Sequence, residues 1–131
     1  MKAVIDTNVF IYSLVEDSQF HRKAKDFLFS LDAWLVPSIV FYELFWFFRD
    51  QGLKSREIEP LIIQILDSKN CKVIADNGEF LRRALELNRE LSPSMFNDMI
   101  ILAVGEKFKT LATYDKKLRS KARKLGIKVI P

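Results

Sequence analysis

Residues 2–6 read Lys2-Ala3-Val4-Ile5-Asp6. Three consecutive apolar residues that end on an acid predict a short buried strand stopping at Asp6. The arrangement recurs near the other end of the chain. Thr110-Leu111-Ala112-Thr113 reads as a strand, and Asp115 follows two residues later. Further short strands are expected at Trp34–Val36, stopped by Pro37, at Cys71–Ala75 and at Ile127–Ile130. Between them lie apolar residues at helical spacing. They predict helices over 8–14, 19–31, 38–50, 54–66, 79–91, 95–108 and 116–124, with Ser38 and Ser94 as expected N-caps. Strands alternating with helices through short loops mean an α/β fold, a parallel sheet covered on both faces. The link from Trp34–Val36 to Cys71–Ala75 holds two helices, more than one crossover needs.

The chain has 131 residues, of which 49% are hydrophobic and 29% charged. That is one domain's worth of sequence, 1–131, with enough apolar material for a core. One cysteine, Cys71, forms no intrachain disulfide, and with one histidine, His21, it excludes a Cys/His zinc site within one chain. Cys71 is expected as a small buried residue opening a core strand. No apolar run reaches the length of a membrane span. Asp6 interrupts any signal-peptide pattern, so a soluble, cytoplasmic protein is expected. No glycine-rich phosphate loop and no Gly-x-Ser-x-Gly elbow occurs, which argues against an NTPase, a dinucleotide enzyme or a serine hydrolase. Charge is uneven. Residues 116–131 carry seven bases and no acid, while the first 115 residues carry a net charge of −3. A basic stripe suits a phosphate-backbone partner and equally a solvated helix face.

Four acids invite a chemical reading. Asp6 and Asp115 stand where strands end, and in open α/β sheets the ligand crevice lies outside those ends. Each alone is equally a turn former or a helix cap. Glu43 is the one carboxylate between Trp34 and Phe48, among Ile39, Val40, Phe41, Leu44, Phe45, Trp46, Phe47 and Phe48. A buried carboxylate needs a partner or a metal, unless it lies on a wet stripe or pairs with Arg49. Asp98 falls in the first turn of its helix, where the dipole alone favours an acid. If all four converge, it is mainly a hard divalent cation that makes their mutual repulsion tenable, and oxygen ligands select Mg²⁺ or Mn²⁺.

Four segments together resemble the PIN domain, a family of metal-dependent nucleases. They are Val4-Ile5-Asp6-Thr7-Asn8-Val9, Pro37-Ser38 through Glu43-Leu44, Phe96-Asn97-Asp98-Met99-Ile100-Ile101-Leu102-Ala103, and Leu111-Ala112-Thr113-Tyr114-Asp115. The resemblance spans essentially the whole chain. It implies a three-layer α/β/α fold with a four- to five-stranded parallel sheet. It implies that Asp6, Glu43, Asp98 and Asp115 are catalytic and bind one or two Mg²⁺ or Mn²⁺ ions, with Asn8 and Thr113 supporting them by hydrogen bonds. The implied reaction is hydrolysis of RNA phosphodiesters by metal-activated water. Size and spacing are most similar to the toxin subunits of VapBC-type toxin–antitoxin pairs, which implies a homodimer and a small antitoxin partner. A PIN nuclease of RNA processing without an antitoxin, and a non-catalytic RNA- or protein-binding module, are the alternatives. The chain departs from some relatives in having Lys116 and Lys117 where a further acid stands after Asp115.

Two expectations follow from this resemblance. Lys116, Lys117 and Arg119, just beyond Asp115, would hold the RNA backbone. The six aromatics Phe41, Tyr42, Phe45, Trp46, Phe47 and Phe48 exceed one buried face, so part of the set should reach the surface as a protein contact.

Overall fold

A computed structural model describes every residue from Met1 to Pro131. Its strands are β1 (Lys2–Val4), β2 (Ala33–Pro37), β3 (Cys71–Ile74), β4 (Thr110–Ala112) and β5 (Lys128–Ile130). Its helices are α1 (Thr7–Leu14), α2 (His21–Ser30), α3 (Ser38–Asp50), α4 (Ser55–Leu66), α5 (Glu79–Leu87), α6 (Phe96–Phe108) and α7 (Lys116–Lys124). β1 pairs in parallel with β2, β2 with β3, and β4 with β5. One parallel bridge, Ile5 to Ala112, joins the two groups, and the Asp6 amide donates to the Ala112 carbonyl at 2.9 Å. The strand order is therefore 3-2-1-4-5. The chain builds outward from β1 to β3, then returns to build β4 and β5 on the other side. The order reverses between β1 and β4, and that switch point is where such sheets open a ligand crevice.

Burial explains why the sheet is covered on both faces. Ala3, Val4 and Ile5 are fully buried in succession, and every residue of β2 is buried too. Neighbouring strand residues point to opposite faces, so both faces must be covered. Trp34 ties the β2 strand to the helices over it. Its ring meets Phe10 edge-on at 5.7 Å, and its indole N–H donates to the Leu28 carbonyl at 2.8 Å. A buried indole needs such a partner. Gly105 lets α6 approach β4, because a Cβ there would stand 3.3 Å from the Leu111 Cβ and from the Thr110 carbonyl.

Four sequence expectations shift. Cys71 does not sit in the core, because β3 is an edge strand; Cys71 is half-buried and Lys72 and Val73 are exposed. A lysine on an edge discourages pairing with another chain. Ser38 is the first helical residue of α3 and no cap. Ser94 lies in a short 3₁₀ turn, Pro93–Met95, capped by Ser92, whose side chain accepts from the Ser94 amide at 3.3 Å. The α5 helix ends at Leu87, and its buried stripe is Phe80 and Ala84, with Leu81 and Leu85 left exposed. His21 opens α2, and its Nδ1 lies 3.0 Å from the Tyr12 carbonyl, which links α2 back to α1.

Candidate active site

The sheet's switch point carries the acids. Asp6 follows the bridge residue Ile5 beyond β1 and caps α1, its Oδ1 accepting from the Thr7 amide at 2.7 Å. Its Oδ2 accepts from the Thr113 hydroxyl at 2.7 Å and from Asn8 Nδ2 at 3.3 Å. Thr113 lies at the end of β4, so this bond crosses the junction between the two halves of the sheet. The Thr113 Oγ1 also accepts from Asn8 Nδ2 at 3.2 Å and from the Asp115 amide at 3.1 Å. Asn8 Oδ1 accepts from the Tyr114 amide at 3.2 Å. Asn8 and Thr113 thus hold Asp6 and the Asp115 segment together.

Asp6, Glu43, Asp98 and Asp115 line one open cleft of about 280 Å³, with Thr7, Asn8, Ile11 and Phe47. Glu43 enters from α3, and its Oε1 accepts from the Thr7 hydroxyl at 2.5 Å. Asp98 enters from the first turn of α6, half-buried. Asp115 is exposed and caps α7, accepting from the Leu118 amide at 3.0 Å. Each acid is thus fixed by the start of a helix, by a strand end or by Thr7.

The electrostatics of the cleft are one-sided. No lysine or arginine lines it, and none of the molecule's five ion pairs uses these acids. Burial pushes the Asp6 carboxyl up to about 7. The hydrogen bonds from Thr113 and Thr7 pull it down, while Asp98 and Glu43 add to the rise. Asp98 is pushed up to about 6, first by burial and then by Glu43 and Asp115. Such paired perturbation in a cleft marks functional sites. No three of the acids stand close enough to form a finished ligand set; like charges spread around the wall of the cleft. The donors are all oxygen, with neither sulfur nor imidazole among them, so their chemistry fits a hard divalent cation.

The basic residues expected beside the site divide. Lys116 and Lys117 are exposed on the first turn of α7, outside the cleft lining. Arg119 turns toward backbone instead, Nη1 donating to the Thr113 carbonyl at 2.7 Å and Nη2 to the Pro131 carbonyl at 3.1 Å. Thr7, Ile11 and Phe47 also line the cleft, and the sequence reading does not place them at the site. The available signal for Thr7 was its hydroxyl directly after a strand-end aspartate.

A family model described as the PIN domain matches residues 3–124. The chain belongs to the PIN domain family. Among solved structures, this PIN chain is similar to a toxin–antitoxin complex from Klebsiella pneumoniae, at 23% identity and a TM-score of 0.61 over 88% of each chain. It is also similar to VapBC2 from Rickettsia felis bound to a DNA fragment from their promoter. There the identity is 18% and the TM-score 0.67, over 100% of this chain and 98% of that one. At these identities the likeness is one of fold, and it covers nearly the full length of both chains. No curated protein sequence matches the chain significantly.

Proposed function

We propose that this PIN domain is a divalent-cation-dependent endoribonuclease, the toxin of a toxin–antitoxin pair. The observation that carries the reading is the convergence of Asp6, Glu43, Asp98 and Asp115 on one cleft without a single basic side chain in its lining. A binding module gains nothing from uncompensated acids facing phosphate. Those four residues would hold Mg²⁺ or Mn²⁺. When bound, such a cation offsets phosphodiester charge and acidifies water. The chain's own residues do the positioning. Thr7 fixes Glu43, Thr113 and Asn8 fix Asp6, and Arg119 fixes the carbonyl of Thr113. Lys116 and Lys117 draw the RNA backbone toward the rim of the cleft.

Two protein partners belong to the same reading. Both solved relatives are toxin–antitoxin complexes, which supports a small antitoxin as partner. Tyr42 and Trp46, one helical turn apart on α3, are 63% and 52% exposed, while Phe41 and Phe48 are buried. Leu81 and Leu85 repeat that spacing on α5 and are also exposed. A second copy of this chain would cover these two apolar ridges, giving a homodimer.

The test is cleavage of a panel of structured and single-stranded RNAs in Mn²⁺, Mg²⁺ or EDTA, with Asp98→Asn as control. Cutting that needs metal and is lost in the variant supports the reading. Equal cutting by wild type and variant, or cutting in EDTA, overturns it.

A further inference from the structure

The α7 helix begins at a site acid and carries six bases and no acid among its nine residues. Leu118 and Ala122 are its buried stripe, so the bases are sorted onto distinct flanks. Arg119 faces the backbone carbonyls of Thr113 and Pro131. Lys117, Lys121 and Lys124 fall at spacing i, i+4 and i+7, which places them in one row along the helix. None of the three takes part in an ion pair. The row starts two residues beyond Asp115 and runs about 10 Å away from it along the axis.

The far end of the row meets a second feature. Between α5, α6 and α7 lies a small cleft of about 160 Å³, and Lys121 and Lys124 stand in its rim. Leu91, Met99, Leu102 and Leu125 form its apolar lining. Asp98 lies in the first turn of α6 and Asp115 caps α7, so both of these helices that flank the small cleft begin at acids of the first one. A basic rim over a small apolar floor matches a nucleotide, whose phosphate is anionic and whose base has apolar faces. An acidic peptide would match the charge, but the cleft takes one ring rather than the face of a helix.

We propose that a single RNA strand leaves the carboxylate cleft along the groove between α6 and α7. Its phosphates lie on Lys117, Lys121 and Lys124, and one flanking base sits in the apolar cleft at the end of the row. This inference rests on the ribonuclease reading and extends it to the path of the substrate.

The test is binding in EDTA, where metal-dependent cleavage plays no part. A fluorescein-labelled single-stranded RNA of mixed sequence is titrated by anisotropy at several KCl concentrations. Changing Lys117, Lys121 and Lys124 together to Gln should flatten the slope of log K against log[KCl] by about 2, since each phosphate contact on a single strand contributes roughly 0.7. The matched change of Lys23, Lys69 and Lys72 to Gln should leave the slope alone. An abasic substitution walked along the RNA should weaken binding at one position in the wild type and at none in Leu91→Ser. The account is overturned by equal slopes in the two triple variants, by a wild type that binds no RNA, or by an acidic peptide that binds through these lysines while RNA does not. Thermal stabilisation by Mn²⁺ is read on the same proteins. Its absence in the wild type with the salt slope intact would sink the metal-dependent nuclease and leave the RNA path standing.

Discussion

Asp6 is placed where stability and function pull in opposite directions. It is 5% exposed, and its carboxyl is pushed up to about 7 mainly by burial. An unfolded aspartate ionises near about 3.9. Between those two values the folded chain holds the proton and the unfolded chain does not. The stability due to Asp6 is therefore present below pH of about 4 and is lost as pH rises through about 7 in the absence of metal. Asp6→Asn removes that loss. In EDTA at pH 8 it should raise Tm by several degrees, corresponding to about 2 kcal/mol, and abolish stabilisation by Mn²⁺. Calorimetric or fluorescence melts at pH 5 and pH 8 check both halves, and a variant less stable than wild type at pH 8 contradicts the first. Thr7 acts at the same scale through one bond. Thr7→Val keeps the shape and removes the hydroxyl held 2.5 Å from Glu43. It should weaken Mn²⁺ binding by roughly 10–100-fold, as loss of groups that orient metal ligands does, with little change in Tm. An unchanged affinity in a titration would remove Thr7 from the account. Asp6 was legible in the sequence because an acid ends an apolar run. Thr7 was not, because its bond joins residues 36 positions apart and no periodicity encodes that.

At the scale of the element, α6 aims Asp98 at the site as α3 aims Glu43. In α6, Met99 and Ile101 to Gly105 are buried, which leaves Asp98 at its start a fixed direction. Gly105 sets how closely the helix lies on β4. Gly105→Leu has no room and should destabilise the fold by about 1–3 kcal/mol, the usual cost of overpacking. A urea melt checks it, and an unchanged midpoint would mean that α6 shifts freely over β4. The helices and the central strands were legible from apolar spacing and from Pro37 as a stop. The position of β3 was not. Cys71, Val73 and Ile74 read as a core strand, with Lys72 the one hint of an edge, and the place of β3 is decided by pairing order, a property of the whole sheet. Arg119 shows the same limit, since a base that faces a phosphate backbone and a base that clasps the carbonyls just beyond two strands look alike in sequence.

At the scale of the molecule, the strand order 3-2-1-4-5 brings acids from residues 6, 43, 98 and 115 to one crevice. The resemblance to PIN sequences implied this convergence, and spacing alone did not. The same scale governs assembly. Tyr42 and Trp46 leave a ridge of apolar surface on α3, with the Arg49 guanidinium 4.7 Å above the Trp46 ring. If a second copy covers this ridge as proposed, Trp46→Ala should weaken that homodimer by roughly tenfold or more, since buried tryptophans dominate interfaces. Light scattering over a dilution series measures it, and a monomer at all concentrations in the wild type contradicts the homodimer.

The proposed role of Asp6, Glu43, Asp98 and Asp115 is to hold a divalent cation. Isothermal titration of Mn²⁺ into wild type and Asp98→Asn at pH 6, where the Asp6 carboxyl still holds its proton, in two buffers of different ionisation enthalpy, tests that role most directly. The account predicts saturable binding by the wild type with release of protons, because the raised carboxyls of Asp6 and Asp98 must give them up. It predicts binding weakened by an order of magnitude or more in the variant. No binding by the wild type, or the same isotherm for both proteins, would contradict it.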